Sequence, residues 1–424
     1  MRTRRDLSTP LLALLPTLAL VAGALLTWPV VGRWQGDLAI YARYADELMR
    51  GALPYRDFRP EYPPLALLPF VVPRVLVLGR PLSADAYRLL FLMENAVFCW
   101  LTACTVLAIA HQTKLATAGS TAALLTVLVA ILSPLLPWRF DLFPALLTAL
   151  ALLALLRNQP AVGGIWLGLG VAAKLYPIVL GPVFGLQYLV LRRWRALGAL
   201  VAGGAIALAL TVLPFWLIDR TGLLAFLTYH EQRGVQLESL AGGVVCLGHM
   251  LGFTTVQIEF NYGAMHLASP WSKALLPWLT PLLLLVYGTV LLVAYTRLRA
   301  NLRTQAPDGQ ALVQLSVAAL LAFIVTNKVF SPQYVVWLLP FAPLLPWRHY
   351  LAMVMICVAT VLIFPFNYDA LLGLQPLAIL LLNARNAAML GLLIWVLADL
   401  LSVPLTARVR RAKSEPHAES RSRA

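Results

Sequence analysis

Charge is scarce in this chain. Asp, Glu, Lys and Arg make up 12% of 424 residues, and 60% are hydrophobic. A soluble domain carries roughly 25% charged residues. That deficit argues against water as the main solvent. The length suits about a dozen spans of roughly 20 residues better than two or three soluble domains. Cysteine is scarce too. Cys99 and Cys104 share one apolar run, Cys357 lies in another and Cys246 in a polar stretch, with no C-x-x-C pair. Neither a disulfide framework nor a zinc site is favoured. The sequence also lacks a Walker A loop, G-x-G-x-x-G, H-E-x-x-H and G-x-S-x-G, so nothing in it is built to use ATP. It has no D-x-D, the pair with which nucleotide-sugar enzymes often hold a divalent metal. A reaction on this scaffold needs an activated substrate delivered from the membrane. The net charge of +15 is spread over short loops and a tail, not gathered on one face. That argues against nucleic acid and for loops set against anionic lipid.

What is present is a train of apolar runs. They cover 11–31, 87–110, 115–136, 142–156, 161–173, 178–191, 196–218, 275–295, 312–326, 335–346, 351–366 and 387–403. The first is too long for a signal-peptide core and reads as an uncleaved helix with its N-terminus in the cytoplasm. Two pieces, 66–78 and 371–382, are short; the first reads as interfacial or re-entrant. The expectation is an all-α polytopic membrane protein, one bundle over 1–406 with both termini cytoplasmic. Its first extracytoplasmic loop is 33–86 and its large outer loop 219–270. Residues 297–310 form a hydrophilic inner loop, and 407–424 a basic cytoplasmic tail with a disordered composition. Inner segments hold 18 of the 33 Lys and Arg; eight of the remainder lie between Arg33 and Arg88. Outside that first loop the bias follows the positive-inside rule. The loop is the exception, either because its acids neutralise it or because its arginines face a phosphate.

Function is then expected at the outer helix ends. Asp37 follows Gly36 at the mouth of the first helix. It is placed to act as a general base on a sugar hydroxyl, or else as a helix cap or ion-pair partner of Arg33. The segment 40–48 alternates as an amphipathic surface helix, ended by Gly51 and Pro54. Tyr62-Pro63-Pro64-Leu65 stiffens the entry to the short apolar piece. Lys174 stands at the outer end of a span, as a phosphate contact or a snorkelling lysine. In the run 230–239, His230 and Arg233 share a face if helical. Arg233 offers a planar fork for phosphate and Glu238 a carboxylate for a sugar hydroxyl; a solvated loop with internal ion pairs is the plainer reading. Lys328 puts a further positive charge on an outer turn, with Gln333 and Tyr334 beside it. Lys174, Arg233 and Lys328 together suit the clamping of a departing phosphate. His249, Glu259 and His266 are too irregularly spaced to favour a metal, and no cofactor is expected.

On these residues the chain resembles the polytopic GT-C glycosyltransferases, and more closely glycosyltransferase family 87, of the polyprenyl-phosphate-mannose-dependent mannosyltransferase type. The resemblance rests on Gly36-Asp37, Tyr62-Pro63-Pro64-Leu65, Lys174-Leu175-Tyr176-Pro177, the run 233–239 and the run 328–334. It implies a bundle of about 12 transmembrane helices in a bacterial cytoplasmic membrane, with the active site facing outside. It implies inverting transfer of a hexose, with mannose first, from a polyprenyl-phosphate sugar to a lipid or glycan acceptor. Asp37 matches the catalytic aspartate. Lys174, Arg233 and Lys328 become donor-phosphate contacts; Tyr62, Tyr176, His230, Glu238, Gln333 and Tyr334 become substrate contacts. No nucleic-acid partner is implied.

Two other readings compete. A lipid or sugar transporter or flippase predicts polar residues in mid-span and internal repeats; Glu94 and Asn95 are the clearest such residues. An O-antigen-type ligase or polymerase would use a pyrophosphate donor and an Arg/His-centred site. Replacing Asp37 separates both from the transferase.

Overall fold

In a computed structural model the described residues are 8–31, 36–80, 82–300 and 308–402. Arg33, half of the 297–310 loop (301–307) and the 407–424 tail lie outside them. In chain order the helices begin with α1 (Ser8–Val31), α2 (Gly36–Met49), α3 (Leu67–Leu76), α4 (Ala84–Thr113), α5 (Ala118–Leu132) and α6 (Leu142–Leu156). Then come α7 (Pro160–Ala173), α8 (Leu180–Val190), α9 (Trp194–Ile218), α10 (Arg220–Glu231) and α11 (Leu240–Met250). A hairpin of β1 (Gln257–Asn261) and β2 (Ala264–Ala268) follows, then α12 (Pro270–Ala300), α13 (Gly309–Thr326), α14 (Trp347–Val361), α15 (Tyr368–Leu372) and α16 (Pro376–Ser402).

Among the described residues seven helices are long and apolar enough to cross a membrane: α1, α4, α9, α12, α13, α14 with its continuation to Phe366, and α16. The protein is a multi-pass membrane bundle. Helices α5 to α8 are apolar but shorter. At 1.5 Å per residue they fall short of a hydrocarbon core about 30 Å thick. α6 is buried along nearly its whole length, so packing inside the bundle replaces reach. α7 and α9 approach backbone to backbone. A Cβ at Gly168 would lie 2.3 Å from the Gly204 carbonyl oxygen, so only glycine fits.

Three expectations change. The run 335–346 is no α-helix: it passes through the core as two 3₁₀ turns, Pro332–Leu338 and Ala342–Leu344. Pro332, Pro340, Pro343 and Pro346 remove donors that an α-helix would need. The piece 371–382, from Pro376 on, runs straight into the last apolar run as one helix, α16, which is described to Ser402. Its mid-helix polar groups are satisfied sideways, Asn383 donating to the Gly243 carbonyl (3.0 Å) and Asn386 to the Ser239 carbonyl (3.1 Å). The large polar region 219–270 is structured: α10, α11 and the hairpin occupy it. The hairpin turns at Tyr262-Gly263, both with positive φ, as a two-residue turn of the primed kind requires. The short piece 66–78 becomes α3, whose ten residues span about 15 Å.

Contacts between distant elements sort into two ends. At one, Gln112 Nε2 donates to the Leu156 carbonyl (3.4 Å) and His349 sits 3.1 Å from Asp399. At the other, the first loop, the 138–141 turn, Lys174, residues 219–269 and Lys328 converge.

Candidate active site

Asp37 lies in the first turn of α2, where the exposed N–H groups of a helix start favour a carboxylate. α2 is amphipathic and buries Leu38, Tyr41, Tyr44 and Ala45. The Tyr41 ring stacks on Phe70 of α3 at 4.1 Å, which fixes the roll of α2. Arg139, in the turn between α5 and α6, closes an ion pair on Asp37 through Nη1. The same turn supplies Asp141, only 1% exposed. Its Oδ1 accepts from Lys174 Nζ at 2.6 Å and from Trp337 Nε1 at 2.7 Å. Buried charges persist only when paired in this way. Trp337 is stacked between Tyr176 (4.1 Å) and Tyr334 (3.9 Å), so the aromatic layer and the carboxylate hold each other.

The facing wall is carried by α10. Asp219 caps it, accepting from the Thr221 and Gly222 amides at 2.9 Å. Gly222 lies against the first outer loop, where a Cβ would come within 1.9 Å of the Tyr55 carbonyl oxygen. α10 thereby brings His230 Nε2 to 3.2 Å from the Glu61 carbonyl, so Nε2 carries the proton. Burial, and then the Arg233 charge, push His230 down to about 4. The ring is a neutral donor near pH 7. Burial raises the Glu61 carboxyl, and a hydrogen bond from Tyr229 offsets part of that. Past α10, the Gln236 amide donates to the Lys328 carbonyl (2.9 Å) and the Leu237 amide to the Met265 carbonyl (3.0 Å). The run 233–239 is thus laced between the 328 turn and β2. Lys328 Nζ donates to the Glu231 carbonyl at 2.6 Å; burial, then Arg233, hold it below the usual lysine range. Arg233 lies 5.9 Å from the Tyr229 ring centre and, among the described residues, forms no ion pair. Its Nε is buried with no hydrogen-bond partner among the described residues.

These elements enclose a cavity of about 230 Å³. Asp37, Glu61, Tyr62, Lys174, Tyr176, His230, Arg233, Lys328, Gln333 and Tyr334 are among its lining. Glu238 is the exception among the singled-out residues. It is buried in an ion pair with Arg385 (2.9 Å), whose Nη2 also donates to the Glu238 carbonyl (2.6 Å). It is 1% exposed and is not in the lining of the cavity. His249, Glu259 and His266 do not gather: among the described residues no three His, Cys, Asp or Glu form a metal-sized group. A second, larger cavity of about 1040 Å³ adjoins the first and shares Ile40, Glu61 and Gly263 with it.

Sequence reasoning passed over Arg139 and Asp141, although both stand in the short gap between the apolar runs 115–136 and 142–156, where charge points to function. Tyr229 was hidden in a polar stretch and Trp337 in an apolar run, with no local signal. Carboxylates (Asp37 and Glu61) and several cations around one small cavity can between them take a proton and hold an anion.

The model of glycosyltransferase family 87 matches residues 61–326. Tyr62, Lys174, Tyr176, His230 and Arg233 fall inside that span; Asp37 and Lys328 fall outside it. No curated sequence matches the chain. The fold is similar to the apo crystal structure of ArnT from Cupriavidus metallidurans, with a TM-score of 0.44 and 16% identity over 85% of this chain and 71% of that one. It is also similar to the oligosaccharyltransferase of Archaeoglobus fulgidus, with a TM-score of 0.41 and 14% identity over 87% of this chain and 53% of that one.

Proposed function

The chain belongs to glycosyltransferase family 87, and from that premise we propose that it transfers a hexose, mannose first, from a polyprenyl-phosphate sugar to a lipid or glycan acceptor. The observation that carries this reading is the convergence of Asp37, Arg233 and Lys328 on one cavity of monosaccharide scale. Asp37 takes the proton of the acceptor hydroxyl. The hydroxyl oxygen forms its bond to the anomeric carbon as the bond to the phosphate oxygen breaks, on opposite faces, and configuration inverts. The electron pair leaves with the phosphate, which needs no proton because cations stabilise its charge. Arg233 and Lys328 supply that charge. Lys174 is already neutralised by Asp141, so it acts at the edge of the phosphate and keeps the aromatic layer in register.

Arg139 orients the Asp37 carboxylate. Tyr62, Tyr176 and Tyr334 provide ring faces for the sugar, and neutral His230 and Gln333 provide donors. The cavity lies at the end of the bundle that carries the first loop and residues 219–269. By charge bias this end faces outward, in the bacterial cytoplasmic membrane.

The test is transfer by the purified protein in liposomes, comparing wild type with Asp37→Asn and polyprenyl-phosphate-mannose with the glucose donor. Wild-type transfer lost in the variant, with donor binding kept, supports the reading. Equal transfer by both overturns the role of Asp37, and transport of the donor without transfer overturns the enzyme.

A further inference from the structure

We propose that Asn95, inside the spanning helix α4, is a positioning residue for the transfer: through the Pro137 carbonyl it sets the turn from which Arg139 reaches Asp37 and Asp141 reaches Lys174. This rests on the transferase reading above. Asn95 lies eleven residues into α4, roughly 16 Å along the helix from its outer end. It is 1% exposed. A polar side chain so deep in a bilayer is costly, and it persists where it is paired and used. Asn95 and Glu94 are also the mid-span groups that a transporter would explain.

Asn95 Nδ2 donates to the Pro137 carbonyl at 3.1 Å. A carbonyl can only accept, so the amide nitrogen is the atom that faces it. No backbone amide of the described turns donates to that oxygen. Pro137 sits in the 3₁₀ turn Leu136–Trp138, which is buried throughout, and Arg139 follows in extended backbone. Arg139 comes two residues after Pro137 and Asp141 four, so a shift at that carbonyl passes to both. A second contact reaches the turn from the same face of α4. Arg88, two helical turns before Asn95, holds its guanidinium 4.3 Å from the Trp28 ring centre, and Trp28 meets Trp138 edge-on at 5.2 Å.

The turn is thus braced by α4 on one side and committed to the site on the other. On the site side its ties are charged: Arg139 to Asp37, and Asp141 to Lys174 and Trp337. Charge attraction tolerates a range of positions, whereas a buried amide hydrogen bond is directional and fixes one. A misplacement of about 1 Å at a reacting group can cost about 10²-fold in rate. Burial of a polar group in α4 is not enough to make such a brace. Glu94 Oε2 and Thr102 Oγ1 are buried with no hydrogen-bond partner among the described residues.

The experiment uses full-length protein. Wild type, Asn95→Leu, Arg139→Gln and the double variant are compared for melting temperature in detergent. Their kcat and donor KM are measured in liposomes, with polyprenyl-phosphate-mannose as donor and a membrane lipid extract as acceptor. Leu keeps the branched shape of Asn and removes the donor. Asn95→Leu is expected to lower kcat about ten- to a hundredfold with donor KM nearly unchanged. Because Asn95 acts through Arg139, the double variant should be no slower than Arg139→Gln alone. Its loss of melting temperature should be smaller than the sum of the two single losses, whereas independent sites add. Thr102→Val should match wild type in both measures. Wild-type kcat in Asn95→Leu, or additive losses in either measure, overturns the proposal. If Asn95→Leu does not fold, Asn95→Gln, which keeps the amide and moves it by one methylene, goes through the same cycle with the same criteria. Melting is read without turnover: coupling between Asn95 and Arg139 with no transfer from any polyprenyl-phosphate sugar sinks the transferase reading alone. Transfer by wild type with additive losses sinks this one alone.

Discussion

At Asp37 the pairing with Arg139 sets geometry, because a carboxylate held from one side offers its other oxygen to the cavity. Asp37→Asn keeps the shape and removes the proposed base, so kcat should fall about 10²- to 10⁴-fold with donor affinity retained. Arg139→Gln should lower kcat and leave KM for the donor nearly unchanged, with Arg139→Lys recovering part of the rate; a change in KM alone would remove its positioning role. Histidine makes a second residue-scale prediction. Burial, and then the Arg233 charge, hold His266 down to about 4, against an ordinary value of 6.5. Between those values the unfolded chain binds the proton and the folded one does not. Stability is therefore lost as pH falls from about 6.5 towards 4, by up to roughly 3 kcal/mol. His266→Gln should shrink the drop in melting temperature between pH 7 and pH 4.5; an unchanged drop would show that the ring is free to protonate when folded.

Among the elements, the run 233–239 that leads into α11 is joined to α16 by a buried charge pair. Removing Arg385 alone leaves Glu238 buried without compensation, at a cost of about 3–5 kcal/mol. Arg385→Leu should unfold at clearly lower temperature in detergent, and Glu238→Leu with Arg385→Leu should regain most of the loss. If the double variant is as unstable as the single, the pair is not what joins the helices. α10 depends on Gly222 at the Tyr55 carbonyl. Gly222→Val should displace α10, costing about 1–3 kcal/mol from overpacking. Because α10 carries His230 and leads into Arg233, donor binding should weaken as well. Normal binding and stability would mean that the first loop yields to the added side chain.

Over the whole molecule, the contacts that gather Asp37, Glu61, Asp141, Lys174, His230 and Lys328 at one end must leave 112–114, 156–159 and 349 at the other. Single cysteines placed at Arg59 and Arg220 should react with an impermeant thiol reagent added outside intact cells. Cysteines at Lys114 and Arg348 should react only after permeabilisation. Labelling of both sets from one side would break the alternation of spans.

Much of this was legible along the chain because it depends on local composition. Long apolar runs between charged turns define membrane helices whatever their partners, since lipid admits no unpaired backbone. The same scarcity of charge made Asp37, Lys174, Arg233 and Lys328 stand out. The tertiary structure decided what each charge faces. Glu238 and Lys174 look alike in sequence, each a charge in a polar turn. Only packing puts Glu238 against Arg385, out of the cavity, and Lys174 against Asp141 at its wall. Arg139 beside Asp37, and α16 continuing through Arg385, likewise arise from residues about 100 to 150 positions apart in sequence. No periodicity encodes such a distance, because a buried charge is set by what surrounds it and not by what precedes it.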